Sequence, residues 1–399
     1  MEDDVAQLLA VNFNQDAKSL AIGHREGIML YSTAEVLEDG ALLHDTYSTS
    51  NTRDAIIVER LYNSNLVVIV SQREPRVMHV LHLSSHTMIC NNKFTKSILN
   101  VKLNRERVIV CLEDCIHIYN LKDMKILHTI LDTPTNQQGL VDLNASENSS
   151  LIAYPASSET GTVNIFDAMH LKALNTFQAH DGPLAALKFN KEGTMLATAS
   201  SKGTVIRVFG LPHGTRLFEF RRGVTRCVNI YSLAFSEDSA YLCSSSNTET
   251  VHVFKLEKTA EPEKKIEPTQ EAGGLLGYVS YFTQTASSYL PTQVNDLMTT
   301  ERSFAVARLP GNDKKSIAAM PTIKGQPYLL VGTTDGFLYC YSIDPQTGEC
   351  HSVKQHRIGP HKDSKGDDAS ARPKVHTDDS IPPNTDDVGE FPPTSHCIN

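Results

Sequence analysis

Apolar and polar positions alternate along most of this chain, in short runs that end on an aromatic or aliphatic residue and are separated by turn-forming residues. Alternation of period two marks a half-buried strand, because successive side chains leave opposite faces of the backbone. The runs close near Tyr31, Leu81, Tyr119, Phe166, Phe209, Phe254 and Tyr341. Most gaps between these positions are about 38–50 residues, the length of a four-stranded propeller blade. Two copies stand out, LKFNKEGTMLATASSKGTVIRVF and LAFSEDSAYLCSSSNTETVHVF. Phe189 to Leu196, Phe235 to Leu242 and Phe13 to Leu20 share one spacing. Helical periodicity is weak outside one segment. The pattern predicts an all-β fold, a seven-bladed WD40-like β-propeller. Trp is absent, so no Trp-Asp signature exists, and Phe166-Asp167 in VNIFDA is its nearest counterpart.

Between the two clear copies lies LFEFRRGVTRCV, with Phe220, Arg221, Arg222 and Gly223 at its centre. Adjacent arginines on an extended segment point to opposite sides, so each can face the crevice on one flank. Both flanks are rich in hydroxyls. Ser200 and Ser246, and Thr204 and Thr250, occupy matching places about 46 residues apart. Just before each closing Val-Phe stands a base, Arg207 in one copy and His252 in the other, whereas the preceding copy has neutral Asn164 there. An Arg-Arg pair by itself is ordinarily a solvated charge on a loop. Here the basic residues are confined to the two repeats that flank it. Guanidinium groups among hydroxyl donors suit a phosphate-bearing ligand, and the arrangement predicts two neighbouring anion sites sharing one motif.

FRRG in this setting, with ATASSKGTVIRVF before it and SSSNTETVHVFKLE after it, resembles the PROPPIN family of phosphoinositide-binding β-propellers, in its WIPI-like, autophagy-related branch. The resemblance runs over nearly the whole chain to about residue 357 and leaves the tail uncovered. It implies a first phosphoinositide site at His180 (in QAHDGP), Ser200, Gly203, Thr204, Arg207 and Arg221, with Thr198 contributing less directly. Gly203 would let backbone amides approach a phosphate. The second site would use Arg222, Ser246, Thr248, Thr250 and His252. Whether His252 serves as a neutral donor or as imidazolium stays open, and each hydroxyl has the alternative role of a strand-end turn residue. The same branch implies a basic spot, at Arg105 and Arg107 in KLNRERVIV, that docks the autophagy lipid-conjugation machinery. On the residues alone these two are solvated charges before a strand.

The last gap between closing positions is about 40 residues longer than the others. Its excess, residues 256–302, begins with the charged, Pro-containing EKTAEPEKKIEPTQEAGG, which has the composition of an unpacked linker. LLGYVSYFTQTASSYL follows, where Leu275, Leu276, Val279, Phe282, Ala286, Tyr289 and Leu290 form a helical stripe that Pro291 stops. Such a stripe can pack on its own fold. Because it interrupts a blade that already has its strands, it reads instead as a membrane contact, and the family implies a blade-six loop that inserts into the bilayer. It is too short and polar to span, so it would lie in the interface. Without a basic face, it needs something else to bring it to the surface.

The chain has 399 residues and a net charge of −9, which leaves no global attraction to nucleic acid or to an acidic membrane. Lipid binding must come from local sites. One propeller would occupy residues 1–357, and the Asp-, Pro- and Ser-rich residues 358–399 read as a disordered tail. No secretory signal or spanning run is visible, and Cys111, Cys243 and Cys340 suit reduced thiols buried in strands. Cys111, Cys115 and His117 lack a fourth ligand for a zinc site, and no catalytic motif, metal or cofactor is implied. The expected protein is cytoplasmic and non-enzymatic. It would sit peripherally on autophagosome precursors and endosomes, recognise phosphatidylinositol 3-phosphate and phosphatidylinositol 3,5-bisphosphate, and recruit autophagy-related partners. The rival is a protein-only propeller scaffold whose arginines bind acidic peptides.

Overall fold

The computed structural model describes residues 8–40, 42, 44–131, 133–223, 227–257, 302–311 and 314–360. Seven antiparallel sheets follow one another along the chain, each built from consecutive strands. Every sheet has four strands except the last, which adds the short pairing strand Thr322–Ile323. The seven closing positions read from the sequence all fall on third strands, from Tyr31 in Gly27–Ser32 to Tyr341 in Phe337–Ile343. The protein is a seven-bladed β-propeller.

Each blade is apolar on both faces because each is covered by a neighbour on both sides. The core is accordingly split into seven clusters, one at each junction between blades. Strand alternation feeds them: in the third strand of blade six, Thr250–Lys255, Val251 and Val253 pack toward blade seven while Phe254 packs toward blade five. Among the described residues the ring closes without exchanging a strand between blades one and seven. Leu20, Ile22 and Tyr31 of blade one pack on Leu330, Leu338 and Cys340 of blade seven. The Leu8 amide donates to Thr334 O at 3.2 Å, and the Gly359 amide donates to Tyr31 Oη at 2.8 Å.

Four charged groups on the inner strands pair with one another. Blades two to five contribute Glu59, Lys102, Asp142 and Lys188 in turn. Lys102 Nζ lies 2.6 Å from Glu59 Oε1, and Lys188 Nζ lies 3.0 Å from Asp142 Oδ1. Cys111, Cys243 and Cys340 are buried free thiols, each pushed up to about 12 chiefly by burial. Among the described residues no His, Cys, Asp and Glu cluster is arranged to hold a metal.

The long excess does fall in blade six, but not after a finished blade. The third strand, Thr250–Lys255, pairs with Ala305–Arg308, so the blade takes its outer strand from beyond the excess. Periodicity could not show this, because a four-residue strand carries too little pattern to register as a separate unit. The stripe at Leu275, Leu276, Val279, Phe282, Tyr289 and Leu290 lies outside the described residues, as does the tail from residue 361.

Candidate functional site

The fourth strand of blade five, Thr215–Arg221, carries the two arginines to a junction with both neighbouring blades. Phe220 on this strand faces blade six, where its ring stacks on Phe254 at a centroid distance of 4.8 Å. Glu219, one residue earlier, faces the other way and meets Arg207. By the same alternation Arg221 belongs to the blade-four side and Arg222 to the blade-six side. The Arg222 amide still donates to Thr204 O at 3.0 Å, although the strand itself ends at Arg221.

On the blade-six side, Arg222 Nη2 donates to Ser246 Oγ at 2.5 Å and also to Thr248 Oγ1. The hydroxyls continue as a chain: Ser246 to Thr248 at 3.0 Å, Thr248 to Thr250 at 3.2 Å, and Thr250 to His252 Nε2 at 3.2 Å. All five residues expected of the second site are therefore in contact, from Arg222 at one end to His252 at the other. Burial, and then the Arg222 charge, lower the His252 pKa to about 4, so the imidazole is neutral at pH 7.

The blade-four side is assembled from two blades. His180 ends the fourth strand of blade four, and its Nε2 lies 2.9 Å from Thr198 Oγ1 in blade five. Thr198 is fully buried, out of a ligand's reach, and its hydroxyl is engaged with His180. Burial and the neighbouring Arg207 lower the His180 pKa to about 4. Arg207 donates from Nε to Glu219 Oε2 at 2.7 Å and from Nη1 to Ala179 O at 2.7 Å. Arg221 has a buried Nε without a hydrogen-bond partner among the described residues. Ser200 and Thr204 bracket the turn into the third strand, and Gly203 sits between them with φ +63°. Its amide already donates to Ser200 O at 2.9 Å. A Cβ there would come within 2.0 Å of Val228 O, so the close pass of the chain entering blade six requires the glycine, whatever a ligand asks of it.

A sequence profile of the PROPPIN family matches residues 7–358. The chain belongs to the PROPPIN family. Among relatives of this PROPPIN, autophagy-related protein 18 of Caenorhabditis elegans is 50% identical over 407 residues, covering 99% of this chain and 98% of its own. WD repeat domain phosphoinositide-interacting protein 2 of Mus musculus is 49% identical over 358 residues, covering 90% of this chain and 78% of its own. The structure of Kluyveromyces lactis Hsv2 shares the fold, with a TM-score of 0.67 at 19% identity over 88% of this chain and 99% of its own.

The two remaining arginines of interest in this PROPPIN part company. Arg105 is half-buried, its guanidinium 4.5 Å from the centre of the Tyr62 ring and its Nε 3.6 Å from the Glu147 carboxylate. Arg107 is buried and donates from Nε to Ala168 O at 2.8 Å, tying blade three to the turn after the third strand of blade four. Arg107 is thus committed to an internal contact, which leaves Arg105 as the accessible cation of this pair. Residues 104–106 join the first and second strands of blade three, whereas Ser200–Thr204 and Ser246–Thr250 join second and third strands. Antiparallel strands put those two kinds of turn at opposite ends of the sheet, so Arg105 and the FRRG region lie on opposite faces. Glu219 and Arg216 were missed by sequence reasoning, although the period-two spacing of Glu219 from Arg221 could have placed those two residues on one face.

Proposed function

We propose that this protein is a peripheral phosphoinositide effector of autophagy. It recognises phosphatidylinositol 3-phosphate and phosphatidylinositol 3,5-bisphosphate through two sites that share the FRRG motif. The observation that carries the reading is the divergence of Arg221 and Arg222. Arg222 meets the blade-six hydroxyls, alternation assigns Arg221 to the opposite face of the strand, and hydroxyls and a neutral histidine stand on each side. Guanidinium and hydroxyl donors together satisfy the several acceptor oxygens of a phosphate monoester. Relatives at close to half identity are named autophagy-related or phosphoinositide-interacting, a binding role, which agrees with the pairing of charges along the inner strands.

The acidic chain then meets the membrane only where its lipid is present. No helix among the described residues is long and apolar enough to cross a membrane. In this reading the apolar stripe of residues 275–290 adds interfacial contact once the head groups are held. Arg105, on the opposite face, is left to dock the lipid-conjugation machinery on autophagosome precursors and endosomes. Flotation of the purified protein with a panel of phosphoinositide liposomes tests the central claim. Co-flotation is expected only with lipids bearing a 3-phosphate. Failure to float with any of them, together with binding to acidic peptides, would establish the protein-only scaffold instead.

A further inference from the structure

Arg207 holds its hydrogen bonds in a way that closes one edge of its guanidinium to a phosphate. A guanidinium offers two edges for bidentate pairing, Nε with Nη2 and Nη1 with Nη2. Glu219 Oε2 occupies Nε at 2.7 Å, and Ala179 O occupies Nη1 at 2.7 Å. Because Nε carries a single N–H, a ligand can pair bidentately with the Nε/Nη2 edge only by displacing Glu219. Ala179 is buried, and its carbonyl would be left without that donor. Glu219 is 21% exposed and has a second cation at hand: Arg216 Nη1 donates to the same Oε2 at 2.9 Å. The carboxylate is therefore the partner that can leave at lower cost.

We infer that Glu219 is an internal substitute for the ligand's phosphate at the first site, and that Arg216 holds the carboxylate when the phosphate takes Arg207. The inference rests on the proposed phosphoinositide reading and adds a determinant of affinity and selectivity to it. One carboxylate shared by two arginines keeps the unliganded site from carrying a bare cation on Arg207. It also sets a threshold, because a ligand must outcompete a carboxylate already in place. A head group with more phosphates clears that threshold more easily, so the first site favours the more highly phosphorylated ligand.

The test uses the full chain with Arg222→Thr, which isolates the first site, titrated calorimetrically with inositol 1,3-bisphosphate and inositol 1,3,5-trisphosphate. Glu219→Gln keeps an oxygen acceptor for Arg207 Nε but removes the charge. It is expected to tighten the bisphosphate about five- to tenfold and the trisphosphate less, narrowing the preference between them. Arg216→Ala leaves Glu219 with Arg207 alone and is expected to weaken both about two- to threefold. Unchanged or weaker binding in Glu219→Gln, with an unaltered melting temperature, would mean that Glu219 only positions Arg207, and the inference is wrong. Wild-type protein that binds neither head group would remove the phosphoinositide reading as well. Binding by wild type without tightening in Glu219→Gln would remove this inference alone.

Discussion

The rings of Phe220 and Phe254 stack with centroids 4.8 Å apart across the junction of blades five and six, and both are essentially inaccessible to solvent. That contact sets the sense of the strand for everything after it. With Phe220 anchored toward blade six, alternation sends Arg221 back toward blade four and Arg222 forward to Ser246 and Thr248. A slip of one residue would exchange the two arginines and put a charge where the phenyl ring now lies, so the apolar contact specifies the register of the charged pair.

The two proposed sites on one propeller predict two head groups per protein. Arg221→Thr and Arg222→Thr should each reduce liposome binding markedly, and the double variant should lose almost all of it. Each charge-assisted contact contributes roughly 1.5–3 kcal/mol, and linkage of two weak sites on one surface adds roughly 10²–10⁴ in apparent affinity. Calorimetry with a soluble head group removes the linkage. Wild type should then titrate with two sites and each single variant with one. A wild-type stoichiometry of one would show that the arginines share a single pocket.

The neutral histidines make stability depend on pH. His180 and His252 have pKa values lowered to about 4 in the folded chain, against an ordinary value of 6.5. The unfolded chain therefore binds protons first as pH falls, and stability present above about pH 6.5 is lost progressively toward pH 4. The loss is at most about 3 kcal/mol per histidine over that window. Melting temperatures measured from pH 7.5 to 4.5 should fall, and more shallowly in His180→Gln. A flat wild-type profile would contradict the buried, neutral assignment.

Gly203→Ala should destabilise the fold. The position has φ +63° and faces Val228 O at 2.0 Å from an added Cβ. A left-handed alanine with a backbone clash costs about 1–3 kcal/mol. Urea denaturation reads this directly. Stability equal to wild type would mean that blade six moves aside freely.

Arg105→Glu should abolish recruitment of the conjugation machinery while leaving phosphoinositide liposome binding intact, because the two lie on opposite faces and different blades. Pull-down and flotation on one preparation separate the two activities. Partner binding that survives in folded Arg105→Glu would exclude this surface.

Replacing Val279 and Phe282 with Asp should weaken retention on liposomes and spare soluble head-group binding, since apolar contact is lost without touching either arginine. Equal loss of both activities would place that stripe within the folded structure instead.

Strand alternation is a local property, and what depends on it was legible in the residues themselves. The seven closing positions mark seven third strands, and two adjacent arginines on an extended segment must diverge. The recurrence of Ser, Thr and a base at matching offsets likewise needed only the linear chain. Pairing between strands is non-local, and there the tertiary structure decided. It placed the outer strand of blade six at Ala305–Arg308, buried Arg107 against Ala168, and enclosed Thr198 behind His180. It also set Glu219 on Arg207, a contact made by register across two strands. Periodicity reports which face a side chain takes, but a hydrogen bond depends on which atoms the neighbouring strand brings within about 3 Å of it.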